Sequence, residues 1–342
     1  MPTAPFMRTR LAIACAAGLG MLGLFGGADA SLSEPAGPRY GVHAEARRDG
    51  DYRYRIVGKM RLLLFWVTAD DVGGARVTST RGDGWRSLSL LAGTDPAHAP
   101  RQVNEWGYLR EEATGDVTTV FGIRTLTDGA SPDEAEARRS RAGAQADMGV
   151  LCETVSQLDA SSRTTTVRVD REVTYRNVPR VLDSAERAAR WNGRRVTRSA
   201  GIAPGFLTAA DVMLRSCAAS ARESVAATCP TVAYVYKGEV YDLIPRRVER
   251  VQRLRIRTRQ FLDLLRTEIV LRHRASGWTD KLSVTYGTDG DLLGVPIQAT
   301  YQPSWWFKVE LNLDEDIDVP RDPADDSSAR RRMSALCTQP DR

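Results

Sequence analysis

The chain holds few residues of the kinds that do covalent chemistry. Its three histidines, His43, His98 and His273, stand apart from one another. No G-x-S-x-G elbow and no H-E-x-x-H pair occurs, so neither an activated serine nor a two-histidine zinc site is signalled. A hydrolytic triad would need one of these histidines to meet a serine and a carboxylate in space. Asp314-Glu315-Asp316-Ile317-Asp318 is dense enough in carboxylate to attract calcium. It lacks the glycine and the closing glutamate of an EF-hand loop, and a solvated acidic run is the simpler reading. Asp70-Asp71-Val72-Gly73-Gly74 reads as a turn, not as a catalytic carboxylate pair. On these grounds no catalytic residue, cofactor or metal is assigned.

Binding chemistry is better represented. Trp305, Trp306 and Phe307, with Tyr301 just upstream, form an aromatic cluster suited to a hydrophobic ligand. On a strand, Trp305 and Phe307 would face the core and Trp306 the opposite side. A large aromatic on a mostly polar face marks either a ligand or membrane contact or packing against a neighbouring loop. Arg253, Arg255, Arg257 and Arg259 would line one strand face and could meet anionic lipid head groups. Against that stands composition: of 48 basic residues only Lys59, Lys237, Lys281 and Lys308 are lysine. Such a skew follows from GC-rich codon usage as readily as from a binding role. The net charge of +5 permits nucleic acid, but the export signal described next disfavours it as a partner.

Residues 1–30 read as a secretory leader. Arg8 and Arg10 form a basic start, Leu11 to Phe25 is apolar, and Ala28-Asp29-Ala30 is an A-x-A cleavage site. The apolar run is shorter than the roughly 20 residues a spanning helix needs. A periplasmic or secreted chain starting near Ser31 is therefore expected, with no mature transmembrane helix. Cleavage removes Cys15 and leaves Cys152, Cys217, Cys229 and Cys337, an even count in an exported protein. Cys217 with Cys229 is the first-choice disulfide, which would leave Cys152 to Cys337.

The elements that must position these residues are mostly strands. Lys281 to Asp314 is the clearest stretch, three strands with two tight turns. Leu282, Val284 and Tyr286 share a face, as do Val295, Ile297, Ala299 and Tyr301, and as do Trp305, Phe307, Val309, Leu311 and Leu313. Asp289-Gly290 supplies the positive φ of a turn, and Gln302-Pro303-Ser304 a second break. Pro296 lacks an N–H and should sit at a bulge or an unpaired edge. The whole stretch looks like the closing edge of a larger sheet. Leu62 to Val67 is apolar on both faces and reads as a central, doubly covered strand. A short helix is expected over 183–190. A better one is expected from an N-cap at Thr208, with Ala210, Met213, Leu214, Cys217 and Ala221 on one face. Residues 246–273 fit a helical seam and an alternating strand equally well.

From about residue 205 to 313 the order of features resembles a family of bacterial exported proteins catalogued as a domain of unknown function. That family looks close to the periplasmic lipoprotein carriers LolA and LolB. The resemblance rests on Leu214-Arg215 near a helix end, the turn at Lys237-Gly238, and the Asp-Gly turn after Tyr286. Val295-Pro296-Ile297 and Glu310-Leu311 complete it. The family's Gly-containing turn before the residue matched by Phe261 is missing here, where Arg257-Thr258-Arg259-Gln260 stands. The resemblance implies that 246–273 is two strands, roughly 247–257 and 261–272, in a curved sheet with a helix near its concave side.

The expectation is thus a mainly β chain: a curved antiparallel sheet, half-barrel or open barrel, with one or two short helices. A β-meander over 31–127, an exposed linker over 128–149, a helix and second meander over 150–313 and a disordered tail over 314–342 follow the leader. Such a chain would be an exported envelope protein. It would either hold a lipid or other hydrophobic molecule on its concave face, with lipid or a lipoprotein as partner, or be a structural or assembly protein with a solid core and a protein partner.

Overall fold

The computed structural model describes residues 48–62, 65–82, 84–115, 117–126, 150–158, 161–170, 172–189, 201–223, 228–305 and 307–320. The expected leader, the linker over 128–149, Trp306, Cys337 and the tail beyond residue 320 lie outside the described residues.

The described chain forms β1 (Arg48–Leu62), β2 (Phe65–Gly82), β3 (Trp85–Thr94), β4 (Trp106–Thr114), β5 (Val117–Thr125), β6 (Val150–Leu158) and β7 (Ser161–Val169). Helix α1 (Pro179–Ala189), β8 (Ile202–Ala203) and helix α2 (Phe206–Glu223) come next. Then follow β9 (Val232–Tyr236), β10 (Glu239–Ile256), β11 (Arg259–His273), β12 (Thr279–Gly287), β13 (Pro296–Ser304) and β14 (Phe307–Leu313). They make one sheet in the order β7-β6-β5-β4-β3-β2-β1-β14-β13-β12-β11-β10-β9-β8. Every pairing is antiparallel except the short one between β8 and β9. The first and last strands therefore meet in mid-sheet, with Tyr54 opposite Leu313 and Met60 opposite Phe307. Lys281 to Asp314 is not an edge as expected: β1 pairs along β14 and continues the sheet.

The sheet is open yet strongly curved, and α2 shows how strongly. Glu111 on β4 and Tyr234 on β9 lie nine strand spacings apart, about 43 Å if the sheet were flat. Both meet the first turn of α2. The Glu111 carboxylate is 2.6 Å from the Leu207 amide, and the Phe206 and Tyr234 rings are 5.8 Å apart. The strands between must wrap around the helix. Concave-facing Leu109, Leu243, Leu265, Tyr286, Ile297 and Leu313 are at most 1 % exposed and form one core with Met213, Leu214, Cys217 and Ala218 of α2.

Among the described residues, a second apolar layer covers the convex face on the β1–β7 half alone. There Trp106, Tyr108, Phe121, Ile123 and Cys152 pack under Leu182 and Ala185 of α1, joined by Tyr175, Ile317 and Val319. On the β8–β14 half the convex face is polar, with Glu268, Arg272, Ser283 and Gln298 open to solvent at least in part and Asp242 buried beneath the Arg272 and Arg274 guanidiniums.

Several local expectations change. Residues 246–273 are two strands, β10 and β11, as the resemblance implied and the period alone left open. Their turn has no glycine; Arg257 itself takes a positive φ of 52°. Leu62 and Phe65 to Val67, the described part of the expected central strand, lie instead at the end of the β1–β2 pair, with Leu62 opposite Phe65; residues 63 and 64 lie outside the described residues. An uninterrupted apolar run signals burial only if something covers it, and here Trp66 and Val67 are exposed. Asp70 to Gly74 is not a turn but a bulge inside β2, where Ile56 pairs Gly73 and Gly58 pairs Ala69. Asp70, Asp71 and Val72 stand opposite the single residue Val57; Val72 is buried, Asp71 adopts φ 60°, and the Asp71 carboxylate pairs with Arg55.

The β12–β13 connection is longer than a tight turn, with a 3-10 turn at Gly290–Leu292, where Gly290 has φ 53°. Pro296 opens β13 beside a register shift, so the missing N–H is accommodated at a bulge. Pro303 lies inside β13, not in the turn, again at a register shift. Helix α1 starts at Pro179, where proline's fixed φ suits the first helical position; Asp183 is interior. Residues 314–320 are not tail: Ile317 and Val319 are buried in the convex core.

Candidate functional site

Helix α2 is the part of the chain on which the two halves of the sheet converge, and the manner differs on each side. Thr208 is not its N-cap. Gly205 is, since its carbonyl accepts the first helical bond from Ala209. Glycine offers no capping side chain, and the buried carboxylate of Glu111 serves instead. It accepts from the amides of Leu207 (2.6 Å) and Thr208 (2.8 Å). Those are helix-terminal donors that otherwise have no partner. A Cβ on residue 205 would come within 2.4 Å of that carboxylate, so the close approach requires glycine. Burial raises the Glu111 carboxyl; the bonds from Thr208 and Leu207 and the charge of Arg86 work against it.

At the other end Arg250 of β10 donates to the Ala221 carbonyl. A carboxylate at the N-terminus and a guanidinium at the C-terminus both complement the helix dipole. Mid-helix, Asp211 accepts from Arg86 of β3 (2.6 Å) and from Arg215 (2.8 Å). Burial would raise the Asp211 carboxyl, but the two arginines hold it below the ordinary range. The expected Cys217–Cys229 disulfide is formed and ties α2 to the segment entering β9. Cys152 is buried in the convex core, and burial pushes its thiol up to about 12.

The aromatic residues do not form one cluster. Phe307 is buried with Ile56, Val72 and Val309. Tyr301 donates to Asp280 at 2.7 Å. Trp305 does not face the core; it lies in the β13–β14 turn and is 68 % exposed. Across from it, at the end of the β1–β2 hairpin, Trp66 is 40 % and Val67 45 % exposed. The Arg61 guanidinium sits 5.9 Å from the Trp305 ring and the Lys308 ammonium 5.8 Å from the Trp66 ring, both within cation–π range.

The arginine stripe is elsewhere. Strand direction alternates across the sheet, so the β1–β2, β13–β14 and β11–β12 turns share one end and the β10–β11 turn lies at the other. There Arg257 pairs with Asp314 at 3.2 Å and Arg259 with Glu315 at 3.1 Å, while Arg255 donates to the Arg257 carbonyl. Arg253 is exposed on the same hairpin. The structure thus separates the two groups of residues singled out for lipid contact, and it commits the Asp314 carboxylate to Arg55 and Arg257.

One constellation has the composition of a triad. His273 Nδ1 is 2.7 Å from Ser276 Oγ, and its Nε2 is 3.2 Å from Glu239. The ring is used the wrong way round, since a triad serine meets Nε2 and the carboxylate Nδ1. Ser276 is exposed in the turn three residues after His273, and its Oγ already accepts the Trp278 amide at 3.2 Å. That is turn stabilisation. His98 stands beside Asp95 at 3.2 Å, and Asp95 also accepts from Arg176 at 2.9 Å.

Glu111, Arg250 and Asp211 escaped the sequence reading because nothing local marks them. The only available signal was Glu111 itself, a charge beside Leu109 on a strand otherwise destined for burial. Among the described residues no helix is long and apolar enough to cross a membrane. No protein-family model matches the chain, and no curated protein does. One solved structure is similar over 78 % of this chain and 96 % of its own: a "putative lipoprotein" from Parabacteroides distasonis ATCC 8503, 7 % identical, with a TM-score of 0.27. At that score no common fold is established, and the similarity to the LolA and LolB carriers is not shown.

Proposed function

We propose that the chain is an exported cell-envelope protein that acts as a solid scaffold and performs no catalysis. One observation carries the reading. The concave face, where a carrier of this shape would hold its ligand, is filled by the protein's own helix. Met213, Cys217, Ala209 and Ala218 of α2 are inaccessible to solvent and pack on Tyr234, Leu271 and Ile297, which are too. Interiors packed in this way leave no room for a second hydrophobic molecule. The disulfide supports an oxidising compartment, as does the expected leader.

Organic extraction of the purified chain followed by mass spectrometry tests the scaffold reading. No stoichiometric lipid is expected. A lipid recovered at one per chain would overturn it in favour of a carrier whose helix moves aside. N-terminal sequencing of the exported protein tests the compartment, with Ser31 expected as the first residue.

A further inference from the structure

We propose that the end of the sheet formed by the β1–β2 and β13–β14 hairpins docks on a membrane surface containing anionic lipid. The argument starts from an anomaly of burial. Trp66, Val67 and Trp305, with Leu262 on the β10–β11 hairpin, are the large hydrophobic residues with substantial exposure among the described residues. Three of these four fall on two adjacent hairpin ends. β1 and β14 are paired neighbours, and Met60, opposite Val67 on one side, is opposite Phe307 on the other. Exposed apolar residues gathered in one place call for a partner.

Residue type points to the kind of partner. Tryptophan, with an apolar body and one polar N–H, favours the boundary between water and lipid. Cations surround the pair: Arg61 at Trp305, Lys308 at Trp66, and Lys59 on the same stretch of β1. Glu310 pairs with both Lys59 and Lys308, at 2.7 and 2.6 Å, so three cations meet one carboxylate and a positive surplus remains.

The lysines add an independent observation. The chain has only four, against an arginine background that codon usage explains. Lys59 and Lys308 flank these hairpin ends, Lys237 is in the β9–β10 turn, and Lys281 is near the start of β12. All four lie toward the same end of the sheet. Lysine keeps its ammonium in the head-group layer while its stem covers apolar surface. Anionic lipid is therefore the complementary partner, and the arginines at the opposite end, where Arg257 and Arg259 are held by Asp314 and Glu315 and no exposed tryptophan lies among the described residues, are not the contact.

The test is flotation of the exported chain with vesicles of phosphatidylglycerol and phosphatidylethanolamine (3:7) or of phosphatidylcholine alone, combined with oxidative footprinting. Binding to the anionic vesicles is expected, weakening with salt, with Trp66 and Trp305 protected. Trp66→Ser with Trp305→Ser should weaken it at least about tenfold. Arg61→Gln with Lys308→Gln should cost several-fold. Arg253→Gln with Arg255→Gln should leave it unchanged. Footprinting of the wild-type chain keeps the test independent of any folding defect in the variants. No binding, or protection at 253–259 instead, would overturn the proposal. So would self-association that the tryptophan substitutions abolish while vesicle binding persists, because the hairpin ends would then meet a second copy. None of these results bears on whether the concave face is filled.

Discussion

The two halves of the sheet meet the same helix by different means. The β8–β14 half receives α2 on an apolar bed, with Met213, Leu214 and Cys217 against Tyr234, Leu243 and Tyr286, and adds a disulfide. The β1–β7 half reaches α2 largely through charges, Glu111 at its first turn and Arg86 at Asp211. The convex faces differ in the opposite sense. The first half is covered there by α1 and residues 317–319, whereas the second is left to water and ion pairs. A curved sheet has one concave face and one helix to fill it. The half that gains less apolar contact there gains more on its outer side.

Perturbing each attachment separates the halves. Replacing Cys217 and Cys229 by serine should cost the most, about 3 kcal/mol from the loop they close, read as a lowered urea midpoint. A linked peptide spanning both residues should appear in non-reducing mass spectrometry, and free thiols at both positions would remove the basis for that figure. Glu111→Ala should cost about 2 kcal/mol, because it leaves two part-buried helix-terminal amides without an acceptor. Glu111→Gln, which keeps one acceptor, should cost roughly half as much. Equal losses in the two variants would show that the carboxylate's shape, not its bonding, is what matters. Hydrogen exchange should locate the effect of Glu111→Ala in the first turn of α2 and in β3–β4, sparing β9–β12.

Asp242, on the bare convex face, should give a pH-dependent effect. Burial would raise its carboxyl, but Arg274 and Arg272 at 2.7–2.8 Å outweigh burial and hold it below the ordinary value. A lowered folded pKa means that the stabilisation is present above the unfolded value and fades as pH falls through the folded one. Asp242→Asn should therefore cost about 1–2 kcal/mol at pH 7 and progressively less below about pH 4. A difference that stays constant down to pH 2.5 would contradict the ion-pair account. On the covered half, Glu186→Ala removes the carboxylate on α1 that accepts the 2.7 Å bond from Arg110. Glu186 is partly exposed, so the loss should be about 1 kcal/mol or less, confined to α1 and β6–β7. Ser276→Ala should have the smallest effect, within about 0.5 kcal/mol. Fluorophosphonate probes should leave Ser276 unlabelled; covalent labelling there would reopen the hydrolase reading.

The difference between the halves also explains what could be read in advance. In β12, Leu282, Val284 and Tyr286 alternate with Lys281, Ser283 and Thr285. That strand was legible, as was the apolar stripe of α2, whereas β11 fitted a helical seam equally well. β3 and β4, buried on both faces over Leu88 to Ala92 and Trp106 to Leu109, show no alternation there and were legible instead from the Gly- and Asp-containing breaks at hairpin spacing. Leu62 to Val67 misled for a related reason: hydrophobicity states what a residue gains from burial, not whether the fold covers it. The arginine stripe was legible as alternation, but not the end of the sheet to which it belongs.

By itself the sequence determined the β character, the amphipathic helix and the residue types available for binding, and it made Cys217–Cys229 the first choice of disulfide. These depend on local period, composition and short loop closure. Only the tertiary structure decided that β1 and β14 close the meander in mid-sheet. It alone decided that a glutamate 94 positions before Gly205 caps α2, and that Trp66 and Trp305 come together. Each of these joins residues far apart in the chain. Their meeting depends on sheet order and curvature, which no local pattern encodes.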